Sequence, residues 1–249
     1  MLFRDINDVS GFTVNPLETY TPASLFKVPV MMAYFKAAET DPTIFDDRIT
    51  YTGTHDRASI QQIKPSRELE QGTTYTVAQL MEYMIAYSDN NAADLLRTHL
   101  KDSGNLEAYA LVFSDLGIDP TTLLETSESV TVQKYMIFFR TLYNATYLTR
   151  TDSERALELL VQSDFRDGLA STTPRTIAIA HKFGEARMTD ESGAFVGKQL
   201  HDCGIVYYPK HPYLLCVMTK GTGESTPLLA ETIATISRMT YDHMHTLYK

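Results

Sequence analysis

Cysteine is scarce in this chain, and that scarcity narrows its chemistry. With two cysteines in 249 residues, neither a disulfide scaffold nor a cysteine-rich metal centre is available. Basic charge is short as well. Lysine and arginine number 22 against 31 aspartates and glutamates, a formal net charge of -9, and the absence of a basic face argues against a nucleic-acid partner. No basic, apolar, small-residue leader precedes the first strand, so no secretory signal is read in the sequence. Internal repeats and low-complexity runs are missing too. What is present, 43% apolar and 21% charged residues, is ordinary for a soluble globular protein, long enough for one compact unit or two intimately joined lobes.

The stretch around which the chain is organised is Thr21 to Glu39, TPASLFKVPVMMAYFKAAE. Thr21 followed by Pro22 reads as an N-cap and first helical position. The residues beyond are apolar on nearly every side, which marks a buried helix, yet the run is shorter than the roughly 20 residues that cross a bilayer. Ser24 and Lys27 are its polar exceptions, and their i, i+3 spacing puts them on one face. A serine hydroxyl becomes a useful nucleophile when a neighbouring group takes its proton, and a lysine with a lowered pKa can do so. The plain structural alternative is that Ser24 caps locally while Lys27 snorkels to water.

Leu2 to Ile6 and Gly11 to Val14 read as short strands before this helix. From Asp41 to Thr74 the chain is polar and broken by Pro42, Gly53, Pro65 and Gly72, as in a functional rim or irregular cover. Thr76-Val-Ala-Gln79 is a capping box opening a helix that stops at Ser88-Asp89-Asn90, and a second helix runs from Asn91 to about Asp102. Thr131 to Tyr147 is a further apolar helix, and Thr151-Asp-Ser-Glu154 is read as the cap of another through about Gln162. The last third changes period: Thr176 to Phe183, Cys203 to Tyr208 and Tyr213 to Thr219 are rich in strand formers. Thr226-Pro227 starts a final helix whose expected buried stripe is Leu229, Ile233, Ile236 and Met239. Strands at both ends of a helical middle predict an α+β fold, with an α/β lobe of about 1–21 and 174–249 and a helical lobe of about 22–173. A two-residue turn within Pro209 to Pro212 would pair Ile205, not Cys203, with Cys216, so two buried thiols are expected.

Three polar clusters stand at element ends: Ser24 with Lys27, Ser88-Asp89-Asn90, and Lys182-Phe183-Gly184. Singly, each has a structural explanation, since Ser88 and Asn90 are common helix-end residues and Lys182 would serve as a solvated strand-end charge. In this order and spacing they resemble the penicillin-interacting serine hydrolases, class A β-lactamases above all, whose signature is Ser-x-x-Lys, Ser-Asp-Asn, Lys-Thr-Gly. The likeness extends to PASLFKVPVMMAY, MIAYSDNNAADLL and the closing strands HDCGIVYYP and YLLCVMTKG. It implies a β-lactamase/transpeptidase-like fold, an antiparallel sheet flanked by helices plus an all-helical lobe.

It further implies that Ser24 is acylated by a β-lactam or an acyl-D-Ala-type amide, with Lys27 as proton acceptor, Ser88 relaying a proton to the departing nitrogen, and Asn90 bonding Lys27 and the substrate amide. Lys182 would supply positive charge for a substrate carboxylate, and the amides of Ser24 and Glu185, next to Gly184, would hold the oxyanion. Asp89 would hold the turn. No metal or organic cofactor is implied; the expected partner is a small β-lactam or a peptidoglycan-type peptide, the expected state a monomer and the expected location extracytoplasmic.

Two departures qualify the resemblance. Phe183 stands where the family has a hydroxyl residue; strand alternation would turn its ring away from Lys182 into the core, but the hydroxyl is lost. Only Asp119 to Ser129 lie between the Leu116-Gly117 turn and the next helix, too short for the loop that carries the family's deacylating glutamate. Glu125 and Glu128 are candidates by residue type alone, so acylation with slow deacylation is expected. Only 23 residues precede Ser24, which reads as a trimmed chain or a smaller sheet. The alternatives are a penicillin-binding D,D-peptidase-like enzyme and a non-catalytic cell-wall-binding relative.

Overall fold

A computed structural model describes residues 1–8, 10–54, 56–118, 129–223 and 225–249. In chain order the elements are β1 (Leu2–Asp5), β2 (Gly11–Thr13), α1 (Lys27–Ala38), β3 (Arg48–Thr50), β4 (Thr74–Thr76), α2 (Val77–Ala86), α3 (Asn90–Asp102), α4 (Leu106–Asp115), α5 (Val132–Asn144), α6 (Arg150–Val161), β5 (Ile179–Thr189), β6 (Phe195–Val206), β7 (Tyr213–Thr222) and α7 (Thr226–Leu247). A 3-10 turn at Ala23–Phe26 runs straight into α1. The chain divides into two compact units, one of Met1–Leu25, Thr122–Arg140 and Phe165–Lys249, the other of Phe26–Thr121 and Thr141–Asp164.

The first unit is built on a five-stranded sheet of order β2-β1-β7-β6-β5, antiparallel throughout. The chain's first strands therefore pair with its last, which explains why strand patterns occur at both ends of the sequence. β7 is buried from Tyr213 to Met218, as a central strand covered on both faces must be. α7 lays Leu229, Ala230, Ile233, Ala234 and Met244 into the core, while Met239, expected there, is 65% exposed. Its N-cap position is Ser225, one residue before the expected Thr226.

The cysteine expectation is overturned. β6 and β7 close with Val206 opposite Tyr213, so the connection spans 207–212 rather than two residues and Cys203 falls directly opposite Cys216. The two form a disulfide with Cα atoms 3.9 Å apart, both sulfurs buried. β5 is likewise longer than its apolar stretch suggests: it runs on through the more exposed Glu185–Thr189, so Lys182, Phe183 and Gly184 lie in mid-strand and not at its end.

The second unit is helical, apart from the β3–β4 hairpin. α1 is its centre, buried from Lys27 to Phe35 and packed against α2, α3, α4 and α6. Each such apolar side chain withdrawn from water contributes about 1.5–3 kcal/mol, which holds the helix despite a first turn with no side-chain cap. Thr21 does not cap it; a 3-10 turn intervenes and the threonine is bound elsewhere. α2 does carry the expected capping box, Thr76 accepting from the Gln79 amide and Gln79 from the Thr76 amide. α6 is capped by Thr149 rather than Thr151, its hydroxyl accepting from the Asp152 amide at 3.1 Å.

Candidate active site

Lys27 is the first residue of α1, and apolar neighbours bury all but 6% of it. A buried amine needs its hydrogens placed, and the α2–α3 turn supplies the acceptors. Its Nζ donates to the Ser88 carbonyl at 2.5 Å and to Asn90 Oδ1 at 2.7 Å, and lies 3.1 Å from Ser88 Oγ. Ser88 can offer both oxygens because its backbone is left-handed, φ 57°, an uncommon state for a side-chain-bearing residue. The turn is held by its neighbours. Asp89 caps α3, accepting from Ala92 N at 2.8 Å, and its other oxygen accepts from Leu69 N at 3.2 Å. Asn91 accepts from Arg57 N at 2.6 Å and donates to Asp56 Oδ1 at 3.0 Å. The irregular segment after α1 is thus pinned to the same turn, and Gln61 within it donates to the Ser88 carbonyl at 2.9 Å. Nothing in its sequence context marked Gln61.

Ser24 belongs to the first unit, half-exposed in the 3-10 turn. Ala23 before it has φ 49°, a left-handed state costly for a residue with a Cβ and sustained only by surrounding contacts. Those contacts are visible. Gln199 accepts from Thr21 N at 2.9 Å and donates to Thr21 Oγ1 at 3.3 Å; His201 Nε2 donates to Thr21 O at 3.1 Å; Tyr135 OH donates to Leu25 O at 3.0 Å. Burial pulls the His201 imidazole down to about 4, so the ring is neutral at pH 7. Gly184, opposite His201 in the sheet, permits the close approach: a Cβ there would come within 2.7 Å of Pro22 O and 3.1 Å of Leu25 N. None of Gln199, His201 and Tyr135 was singled out from sequence. The usable signal was Gln199 and His201 alternating on one face in the middle of β6, since buried polar groups need partners.

Lys182 is fully buried. Its Nζ donates to the Phe183 carbonyl at 3.1 Å and sits 4.2 Å from the centroid of the Phe183 ring. The ring is buried as expected but does not turn away from the lysine; it stacks on Phe165 at 4.1 Å and faces the amine. Glu185 is held through its side chain by Thr226 and by Lys198, whose Nζ is 3.6 Å away. Behind the strand, His181 Nδ1 lies 2.8 Å from Asp202 Oδ1, and Asp202 Oδ2 accepts from Leu169 N at 2.8 Å.

Glu125 and Glu128 lie outside the described residues. Among the described residues no group of three or more His, Cys, Asp or Glu side chains is arranged to hold a metal, and no helix is long and apolar enough to cross a membrane. The structure therefore brings Lys27, Ser88 and Asn90 together in one unit, and gathers Ser24's strap, Gly184 and His201 in the other.

Comparison with known proteins adds a family. The model of the beta-lactamase enzyme family matches residues 1–244. A beta-lactamase of Bacteroides uniformis is 24% identical over 238 residues, covering 89% of this chain and 78% of its own. Among solved structures, a class A beta-lactamase from Mycobacterium abscessus superposes with a TM-score of 0.76 at 20% identity, over 98% of this chain and 92% of that one. An acyl-enzyme complex of a PBP-A mutant with penicillin G does so at 0.73 and 19%, over 98% and 89%.

Proposed function

The chain belongs to the beta-lactamase enzyme family and is a serine hydrolase, and on that premise we propose that Ser24 is the residue its substrates acylate. The observation that carries this is the triple hold on Lys27 by the Ser88 carbonyl, Ser88 Oγ and Asn90 Oδ1. A buried amine one turn after a half-buried serine is placed to take its proton: loss of water disfavours the charged form of an amine, and the acceptors on the α2–α3 turn orient the Nζ. Ser24 Oγ attacks the amide carbon and its proton passes to Lys27. The carbon–nitrogen bond breaks, Ser88 hands its proton to the departing nitrogen and recovers one from Lys27, whose Nζ lies 3.1 Å from Ser88 Oγ, and the acyl group stays on Ser24. The amides of Ser24 and Glu185 receive the developing oxyanion, Asn90 orients Lys27 and the substrate amide, and Lys182 contributes positive charge.

The substrate is a β-lactam or a related amide. Activating a water for the second step is a separate task from activating Ser24, and the short connection between Gly117 and Thr131 offers no matched glutamate for it, so the acyl-enzyme persists. With a chromogenic cephalosporin we expect a burst equal to the enzyme concentration and then a slow steady state; fast multiple turnover from the first second would refute slow deacylation. The same short connection favours a second reading, a penicillin-binding D,D-peptidase-like enzyme, which peptides ending in D-Ala-D-Ala would reveal by sustained release of D-alanine. A buried disulfide fits an oxidising, extracytoplasmic compartment.

A further inference from the structure

We propose that Phe183 sets this site against anionic substrates: its ring and carbonyl engage Lys182, and the acyl donor that fits is one without a carboxylate beside the scissile amide. This rests on the assignment of Ser24 as the acylated residue.

The cation that a substrate carboxylate would seek is Lys182, and its Nζ is already directed elsewhere. It donates to the Phe183 carbonyl at 3.1 Å and lies 4.2 Å from the ring centroid, with none of the residue exposed. A cation over an aromatic face is held by the ring quadrupole, more firmly where water is excluded. The ring cannot easily swing aside, because it stacks on Phe165 at 4.1 Å and is itself only 4% exposed. That negative face repels an approaching anion, and a phenyl group has no hydroxyl with which to compensate.

The two neighbouring acids already have partners. The residue opposite Phe183 in the sheet is Asp202, a buried carboxylate beside His181. Glu185, two residues along β5, is a second carboxylate, matched by Lys198 at 3.6 Å. A substrate carboxylate here would be stripped of water and without a hydroxyl donor from residue 183, which is the costly way to bury a charge.

The test compares benzylpenicillin with its methyl ester, reading acylation rates by intact mass on the wild type, Phe183→Thr and Phe183→Leu. The wild type is expected to react with the ester at least as fast as with the acid. Phe183→Thr should shift the acid-to-ester ratio about tenfold toward the acid, the size of one charge-assisted hydrogen bond. Phe183→Leu, which removes the ring while keeping apolar volume, should shift it less and in the same direction. A wild type that prefers the acid tenfold, or ratios that both variants leave unchanged, would overturn the proposal. Binding of the two compounds to Ser24→Ala, measured by calorimetry, reads the same discrimination without acylation. If no protein gains acyl mass the Ser24 assignment fails, whereas tenfold tighter binding of the acid to Ser24→Ala overturns the Phe183 proposal on its own.

Discussion

His201 Nε2 donates to the Thr21 carbonyl across 3.1 Å, tying the middle of β6 to the strap that presents Ser24. The imidazole is buried, and its pKa is pulled down to about 4 from 6.5. Unfolding returns it to water, where it protonates more readily. The stability it contributes is therefore complete above pH 6.5 and is lost as pH falls toward 4, about 3 kcal/mol across that window. Denaturant titrations of wild type and His201→Asn at pH 7.5 and pH 4.5 check this: the wild type should lose more stability on acidification than the variant. Equal losses would show that His201 is not the group responsible.

Gly184→Ala puts a methyl group 2.7 Å from the Pro22 carbonyl. The colliding atoms are backbone on the strap before Ser24, so relief requires moving the strap. We expect a loss of about 1–3 kcal/mol together with a fall in acylation at Ser24. Thermal melting and acylation kinetics read the two effects, and a variant that melts and acylates like the wild type would mean the strap yields without consequence.

Replacing Lys27 separates base from charge. Lys27→Ala should slow acylation by about 10²–10⁴ and take the amine donor from Asn90 Oδ1 and from a Ser88 carbonyl that keeps its bond from Gln61. Lys27→Arg restores hydrogen bonding and charge but not a usable base. Acylation followed by stopped flow should stay slow in both, while melting temperature should recover partly in the arginine variant. Wild-type rates in Lys27→Arg would remove Lys27 from the proton path.

Much of this fold is legible in local chemistry, and the failures share a cause. The Thr76–Gln79 capping box is a short-range signal and the helix begins there. The run from Val28 to Phe35 in α1, apolar on every side, could only belong to a core helix. Thr21 looked like a cap because its neighbours did, yet its hydroxyl, amide and carbonyl are all taken by Gln199 and His201, 178 and 180 residues away. The cysteine register depended on the length of one turn, which Pro209 and Pro212 disguised. In the candidate site, Lys27, Ser88 and Asn90 stood out as a motif whereas Gln61, Gln199, His201 and Tyr135 did not, because residues that hold a backbone in place carry no fixed spacing to what they hold. Phe183 was seen as a departure, but its contact with Lys182 required coordinates.

The disulfide gives a further expectation. Cys203 and Cys216 close a loop 13 residues apart in sequence, a crosslink worth about 2–4 kcal/mol through the unfolded chain. Unreduced protein denatured in iodoacetamide should take up no label, and reduction should lower the melting temperature. Two labels without prior reduction would establish free thiols.

The most direct measurement is intact mass after exposure to a β-lactam, for wild type and Ser24→Ala side by side. The wild type should gain the mass of one intact β-lactam, mapping by peptide digestion to the segment containing Ser24, and the variant should gain none. An adduct of equal yield on Ser24→Ala, or a wild type that gains no mass and leaves the lactam intact, would contradict acylation at Ser24.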